Sequence, residues 1–222
     1  IQIDRENRSA HILVKAPAEA SPQDAAGILV QGADFWPFKM ARELDDAMLH
    51  LRANEAEIGT WVLRTEGSSE NVASADAALA ANADDWFVRE VTLFLKRTMK
   101  RLDLSARTLM AMIEPASCFT GTLLELALTT DRSFMLDGQF EGDNRPPAVL
   151  QMTAANFGPY PMSNGLTRLE SRFLGEEGKV AELEALIATD IDTEQADDLG
   201  LVTFIPDDID WEDEIRMALE ER

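Results

Sequence analysis

The chain has 222 residues, enough for one good-sized domain that buries roughly 70% of its unfolded surface. Its net charge of −21 argues against nucleic acid as a partner, because nucleic-acid binders are normally basic. No apolar run is long enough to span a bilayer, no signal peptide opens the chain, and the sole cysteine, Cys118, can form no internal disulfide. The expectation is a cytoplasmic protein with no membrane partner.

In chain order, His11 to Val14 reads as a strand. Ser21-Pro22-Gln23-Asp24 reads as a helix start with Ser21 as the cap, proline in first helical position and an acid in the first turn. Phe35-Trp36-Pro37 breaks the pattern. Met40 to Leu51 carries Leu44, Ala47, Met48 and Leu51 at helical spacing. Thr60 to Leu63 is a short strand, Asp76 to Ala83 a short alanine-rich helix. Trp86 to Leu102 gives the strongest helical pattern, with Phe87, Val91, Phe94, Leu95, Met99 and Leu102 on one side. Leu109 to Ile113 is a strand, Thr122 to Thr130 a helix, and Phe134 to Leu136 and Ala148 to Met152 strands separated by a polar excursion. Leu166 to Leu174, Lys179 to Ala188 and Glu194 to Leu199 read as helices, Leu201 to Ile205 as a strand, and Ile209 onward as an acidic helix. Helices alternating with short strands imply crossover connections and a largely parallel sheet in a single α/β domain over 1–222. Ile1 is not methionine and the final helical pattern runs to Arg222 without a cap, so the chain is expected to be a piece of a longer polypeptide.

The stretch Ile113 to Asp131 carries the chemistry. A strand runs through small residues and Gly121 into a helix with Glu125 in its first turn. A glycine turn feeding a helix leaves backbone N–H groups unpaired, and with the helix dipole these suit an oxyanion. Thr122-Leu123-Leu124-Glu125 also has the form of a capping box, with Thr122 as cap and Glu125 returning to its amide. Glu125 is therefore a candidate catalytic carboxylate or a helix cap. Cys118 reads as a small buried residue, since neither His11 nor His50 lies in a motif that would place it alongside. No nucleophile elbow, phosphate loop or dinucleotide fingerprint occurs, and two histidines with one cysteine make no zinc site. No metal and no cofactor are expected. The acids from Asp207 to Glu214 lack the glycine of a calcium loop and read as a solvated helix start. Arg89, Lys96, Arg97, Lys100, Arg101 and Arg107 form the one basic cluster, four of them in the last turns of a helix whose dipole they complement.

Glu125-Leu126-Ala127 with Asp131, then Pro161-Met162-Ser163-Asn164-Gly165-Leu166-Thr167-Arg168-Leu169, Gly175, and Ala196-Asp197-Asp198-Leu199-Gly200-Leu201-Val202 resemble, in order and spacing, the motifs of the crotonase superfamily of enoyl-CoA hydratases and isomerases. The resemblance covers residues 109 to 205, with weaker similarity back to about residue 10. It implies a superhelix of stacked β-β-α turns and a CoA thioester as substrate. It also implies two glutamates working on one water and an oxyanion hole for the thioester enolate. Glu125 takes the first glutamate position and the Thr122 amide one oxyanion position. The second glutamate position falls on Ala154, after Thr153, and alanine transfers no proton. Thr122 stands where the family has glycine. The loop expected to give the second oxyanion donor reads Arg64-Thr65-Glu66-Gly67-Ser68-Ser69-Glu70-Asn71, whose two glutamates would repel a phosphate.

A narrower resemblance rests on Ala41-Arg42-Glu43-Leu44-Asp45-Asp46-Ala47, Gly59 to Gly67, Ile113 to Thr122 and Pro206-Asp207-Asp208-Ile209-Asp210-Trp211. These are similar to the C-terminal half of the benzoyl-CoA-dihydrodiol lyase family, oversized crotonase relatives that open the ring of a dihydroxylated benzoyl-CoA in aerobic benzoate degradation. This resemblance implies a degenerate scaffold or interface half whose partner is the N-terminal crotonase-like half of the same polypeptide, in a homo-oligomer. The competing expectation is a small CoA-ester hydratase or isomerase acting through Glu125 alone.

Overall fold

The computed structural model describes residues 1–221. Its centre is a five-stranded sheet in sequential order: β1 (Gln2–Asp4), β2 (Ser9–Lys15), β3 (Thr60–Glu66), β4 (Thr108–Ile113) and β5 (Arg132–Met135). β1 folds back antiparallel on β2, and the other pairings are parallel. Strands covered on both faces can be apolar almost without interruption, and the Trp61-Val62-Leu63 and Leu109 to Ile113 runs are of this kind. Alternation along them still sorts two cores. Trp61, Leu63, Leu109, Ala111 and Ile113 face the larger one, whereas Val62, Met110 and Met112 face the smaller.

Helices α1 (Ala25–Gln31), α2 (Trp36–Asn54), α3 (Ser69–Ala81) and α4 (Trp86–Asp103) supply the crossovers. α2 buries Met40, Leu44, Met48 and Leu51, and α4 buries Val88, Val91, Leu95, Met99 and Leu102 in the same core. Asp24, Ser68 and Asp85 cap α1, α3 and α4 through their side-chain oxygens. After β5 the chain forms β6 (Leu150–Gln151), α6 (Arg168–Arg172), α7 (Lys179–Glu184), β7 (Asp190–Ile191) and α8 (Thr193–Asp198). The last helix, α9 (Trp211–Glu220), lays Trp211 and Ala218 on Val62, Met110, Met112, Phe134 and Leu136. Among the described residues no helix is long and apolar enough to cross a membrane.

Several expectations need correction. Ala148 to Met152 does not join the main sheet: β6 pairs antiparallel with β7, its backbone instead meeting Thr120 in a single parallel bridge. Leu201 to Ile205 forms no strand beyond isolated bridges, such as Phe134 to Phe204. Ser133 and Thr203 bond through their side chains here, and Pro206 has no N–H to extend a ladder. Asp24, not Ser21, caps α1, because its carboxylate reaches the Gly27 N–H at 2.9 Å. Phe35-Trp36-Pro37 starts α2 rather than breaking it, with proline placed in the first turn where its missing N–H costs nothing. α3 starts at Ser69, seven residues before the expected Asp76.

Candidate active site and its buried carboxylates

The turn after β4 is built as the sequence implies up to a point. Gly121 to Leu123 forms a 3-10 turn that leads into α5 (Leu124–Leu128), so the helix begins within two residues of Thr122. Gly121 has φ +47°, and a Cβ there would lie 1.8 Å from Asp76 Oδ2 and 2.4 Å from Thr153 Oγ1. Only glycine allows that approach. What approaches is the side chain of Asp76, from the middle of α3.

Asp76 collects two donors from Thr122 and one from Thr153. The Thr122 N–H donates to Asp76 Oδ2 at 2.9 Å, Thr122 Oγ1 donates to Oδ1 at 2.5 Å, and Thr153 Oγ1 donates to Oδ2 at 2.8 Å. Thr122 Oγ1 also lies 3.2 Å from the hydroxyl of Tyr160. Burial pushes the Asp76 carboxyl up to about 6, while the bonds from Thr122 and Thr153 pull in the opposite direction. Thr122 therefore caps neither turn, and its amide, the expected oxyanion donor, is already bonded.

Glu125 is not a cap either. It is 1% exposed, with Oε2 accepting from Arg168 Nη1 at 2.6 Å and Oε1 from Asn156 Nδ2 at 2.7 Å. Arg168 also grips Asp103 with two bonds, Nε to Oδ1 at 3.0 Å and Nη2 to Oδ2 at 2.8 Å. The side chains of Arg168, Glu125 and Asp103 are 1%, 2% and 5% exposed, a dry triad of two acids on one guanidinium. Burial raises the Glu125 carboxyl above its ordinary range, and the Arg168 charge and the Asn156 amide oppose the rise.

The remaining candidates lie elsewhere. Ala154 is the exposed first residue of a 3-10 turn over Ala154–Phe157, capped by Thr153. The segment expected to form the second oxyanion loop does not loop out. β3 runs on to Glu66, Ser68 caps α3 by accepting from the Asn71 N–H, and Glu66 and Glu70 point to solvent. Amides further along are then taken up by the helix. Asp131 latches the start of β4 by accepting from the Leu109 N–H at 2.8 Å. Cys118 is buried and its thiol is pushed up to about 11 by that burial, the opposite of an activated nucleophile. Lys100 and Arg101 sit in the last turn of α4, and Asp207 accepts from the N–H groups of Ile209 and Asp210 at the acidic start of α9. Among the described residues no cluster of ligands could hold a metal ion. A cleft of about 730 Å³ is lined by Lys15, Ala16, Trp36, Lys39 and Met40 among others, with neither Thr122 nor Glu125 in its wall.

Sequence reasoning missed Asp76, Asp103, Asn156 and Tyr160 as members of the site, and saw Arg168 only as part of a motif. For Asp76 a signal existed. It lies four residues after Val72 and three before Leu79, on the buried stripe of α3. An acid on an apolar stripe must find donors inside the fold.

Over 220 residues the chain is 50% identical to the benzoyl-CoA-dihydrodiol lyase of Aromatoleum evansii. The match takes in 99% of this chain but 39% of the lyase, so the chain spans well under half of that relative. Among solved structures, the enoyl-CoA hydratase of Geobacillus kaustophilus HTA426 matches with a TM-score of 0.61 at 16% identity, over 97% of this chain and 71% of that one. The enoyl-CoA hydratase/isomerase of Cupriavidus metallidurans CH34 gives 0.57 at 17%, over 95% and 69%. No protein-family model matches the chain.

Proposed function

We propose, for a chain with the fold of the enoyl-CoA hydratases, that it is one crotonase-like half of a longer carbon–carbon lyase acting on a CoA thioester, of the benzoyl-CoA-dihydrodiol lyase kind. Within that enzyme it serves as scaffold and docking face for the other crotonase-like half, in a homo-oligomer, and the other half performs the chemistry. The observation that carries this reading is that both groups the chemistry would need are engaged internally. The Thr122 amide is bonded to Asp76, and both oxygens of Glu125 are bonded to Arg168 and Asn156 in a dry interior. A general acid–base must reach the proton it moves, and an oxyanion donor must point at the place where charge develops. Neither does so here. The missing carboxylate at Ala154 and the net charge of −21, unfavourable for a polyanionic ligand, support the same reading.

Isothermal titration of the chain with benzoyl-CoA tests it. The expected result is no saturable binding tighter than about millimolar. Saturable micromolar binding would overturn the scaffold reading in favour of a small CoA-ester hydratase or isomerase working through Glu125.

A further inference from the structure

The Gly121–Thr122 turn and Thr153 converge three donors on the two oxygens of one carboxylate, at 2.5 to 2.9 Å. We propose that this is a carboxylate-binding niche whose ligand comes from within: Asp76 fills it, and a one-carbon carboxylate, formate, fills it when the Asp76 side chain is removed.

The walls of the niche are held by bonds in which Asp76 takes no part. Asn156 Nδ2 donates to the Gly121 carbonyl at 2.9 Å, and Asn156 Oδ1 accepts from the Thr153 N–H at 3.1 Å. Thr153 Oγ1 accepts from the Ala155 N–H at 3.1 Å, which turns its own hydrogen toward the niche. Tyr160 stands behind Thr122 Oγ1. The donors therefore stay in place when the acid is cut away, and leaving a buried amide and hydroxyl without acceptors is unfavourable.

The class of ligand follows from the pattern. One donor meets the first oxygen and two meet the second, so the niche fits a planar two-oxygen acceptor; a halide would meet one position at a time. The absent Cβ at Gly121 lets a carboxylate oxygen reach the turn, where a Cβ would lie 1.8 Å from Asp76 Oδ2. The bonds of Arg168 go to Glu125, Asp103, Thr129 and the Tyr160 carbonyl, none of them to the niche. The niche is built from these donors whether or not the chain is part of a lyase.

The test is Asp76→Ala. Its melting temperature is followed in sodium formate, sodium pivalate and sodium chloride at matched ionic strength. The expected result is a saturable rise of several degrees with formate in the millimolar range, little with pivalate or chloride, and no formate-specific rise in the unsubstituted protein. An equal response to formate and chloride, or an equal formate response from the unsubstituted protein, overturns the proposal. Should Asp76→Ala fail to fold, the unsubstituted protein decides by NMR. The Thr122 amide proton should lie downfield and shift in one transition shared with the Asp76 carboxyl carbon. A Thr122 amide indifferent to that titration overturns the proposal.

Discussion

Replacing Asp76 with asparagine should remove the pH dependence that this one buried acid imposes on stability. The carboxyl is raised from the ordinary 3.8 to about 6 by burial. Between those values the folded chain holds a proton that the unfolded chain has released, so stability falls as pH rises through the window. One unit is worth about 1.4 kcal/mol, so the full effect is about 3 kcal/mol, complete above about pH 6 and absent below about pH 4. The groups facing Asp76 are Thr122 and Thr153, with Tyr160 and Glu125 beyond them. Tyr160 is pushed far up by burial and stays neutral throughout. Asparagine can satisfy every partner. Its oxygen takes the place of Oδ2, accepting from the Thr122 amide and the Thr153 hydroxyl. Its NH₂ donates to Thr122 Oγ1, whose hydrogen turns to Tyr160. The assay is urea unfolding of both proteins at about pH 5 and about pH 8, the lower limit set by an isoelectric point near 4.3. Asp76→Asn should gain on the parent by roughly 1 to 2 kcal/mol across that interval. A stability difference that is flat with pH, or that moves against asparagine as pH rises, would refute the reasoning.

Arg168→Met leaves Glu125 and Asp103 buried with no cation, and urea unfolding should show a loss of about 3–5 kcal/mol. Glu125→Gln keeps an acceptor for Arg168 and leaves it paired one-to-one with Asp103, so it should cost less than Arg168→Met by the same measurement. In the longer lyase proposed above, Glu125→Gln should leave steady-state turnover within a few fold; a loss of ~10³ would make this chain catalytic. Gly121→Ala drives a Cβ into Asp76 and Thr153 at positive φ and should unfold the chain at a markedly lower melting temperature. Combining it with Asp76→Ala should restore part of the loss, and strict additivity in that double-mutant cycle would count against the close approach.

The order of strands β2 to β5 and of the helices between them was legible because periodicity is local. α4 shows it best, with Val91, Leu95, Met99 and Leu102 buried along the side the spacing picks out. The position of the Gly121 turn was legible for the same reason, since a strand, a glycine and a helix follow each other in one stretch. The partners in the site were not. Thr122 and Glu125 match a capping box letter for letter, yet Asp76 comes from 46 residues away and Arg168 from 43 residues away to engage them. A local motif offers about 1 kcal/mol, and a buried acid that needs donors outweighs it. The early start of α3 was hidden similarly. Ser68 is an ordinary cap, but Gly67 and Glu70 around it read as a loop until the strand before it is seen to run on to Glu66.

The smaller core has a consequence for the order in which the chain can finish folding. Val62, Met110, Met112 and Phe134 are all in place once β5 has paired, but Trp211 and Ala218 arrive at least 76 residues after Met135 has left the ribosome. Until then one face of the three strands β3, β4 and β5 lies open and oily. A nascent chain in that interval is a natural client for holding chaperones, and ribosome profiling paired with chaperone capture should place their engagement before residue 211 and their release after it.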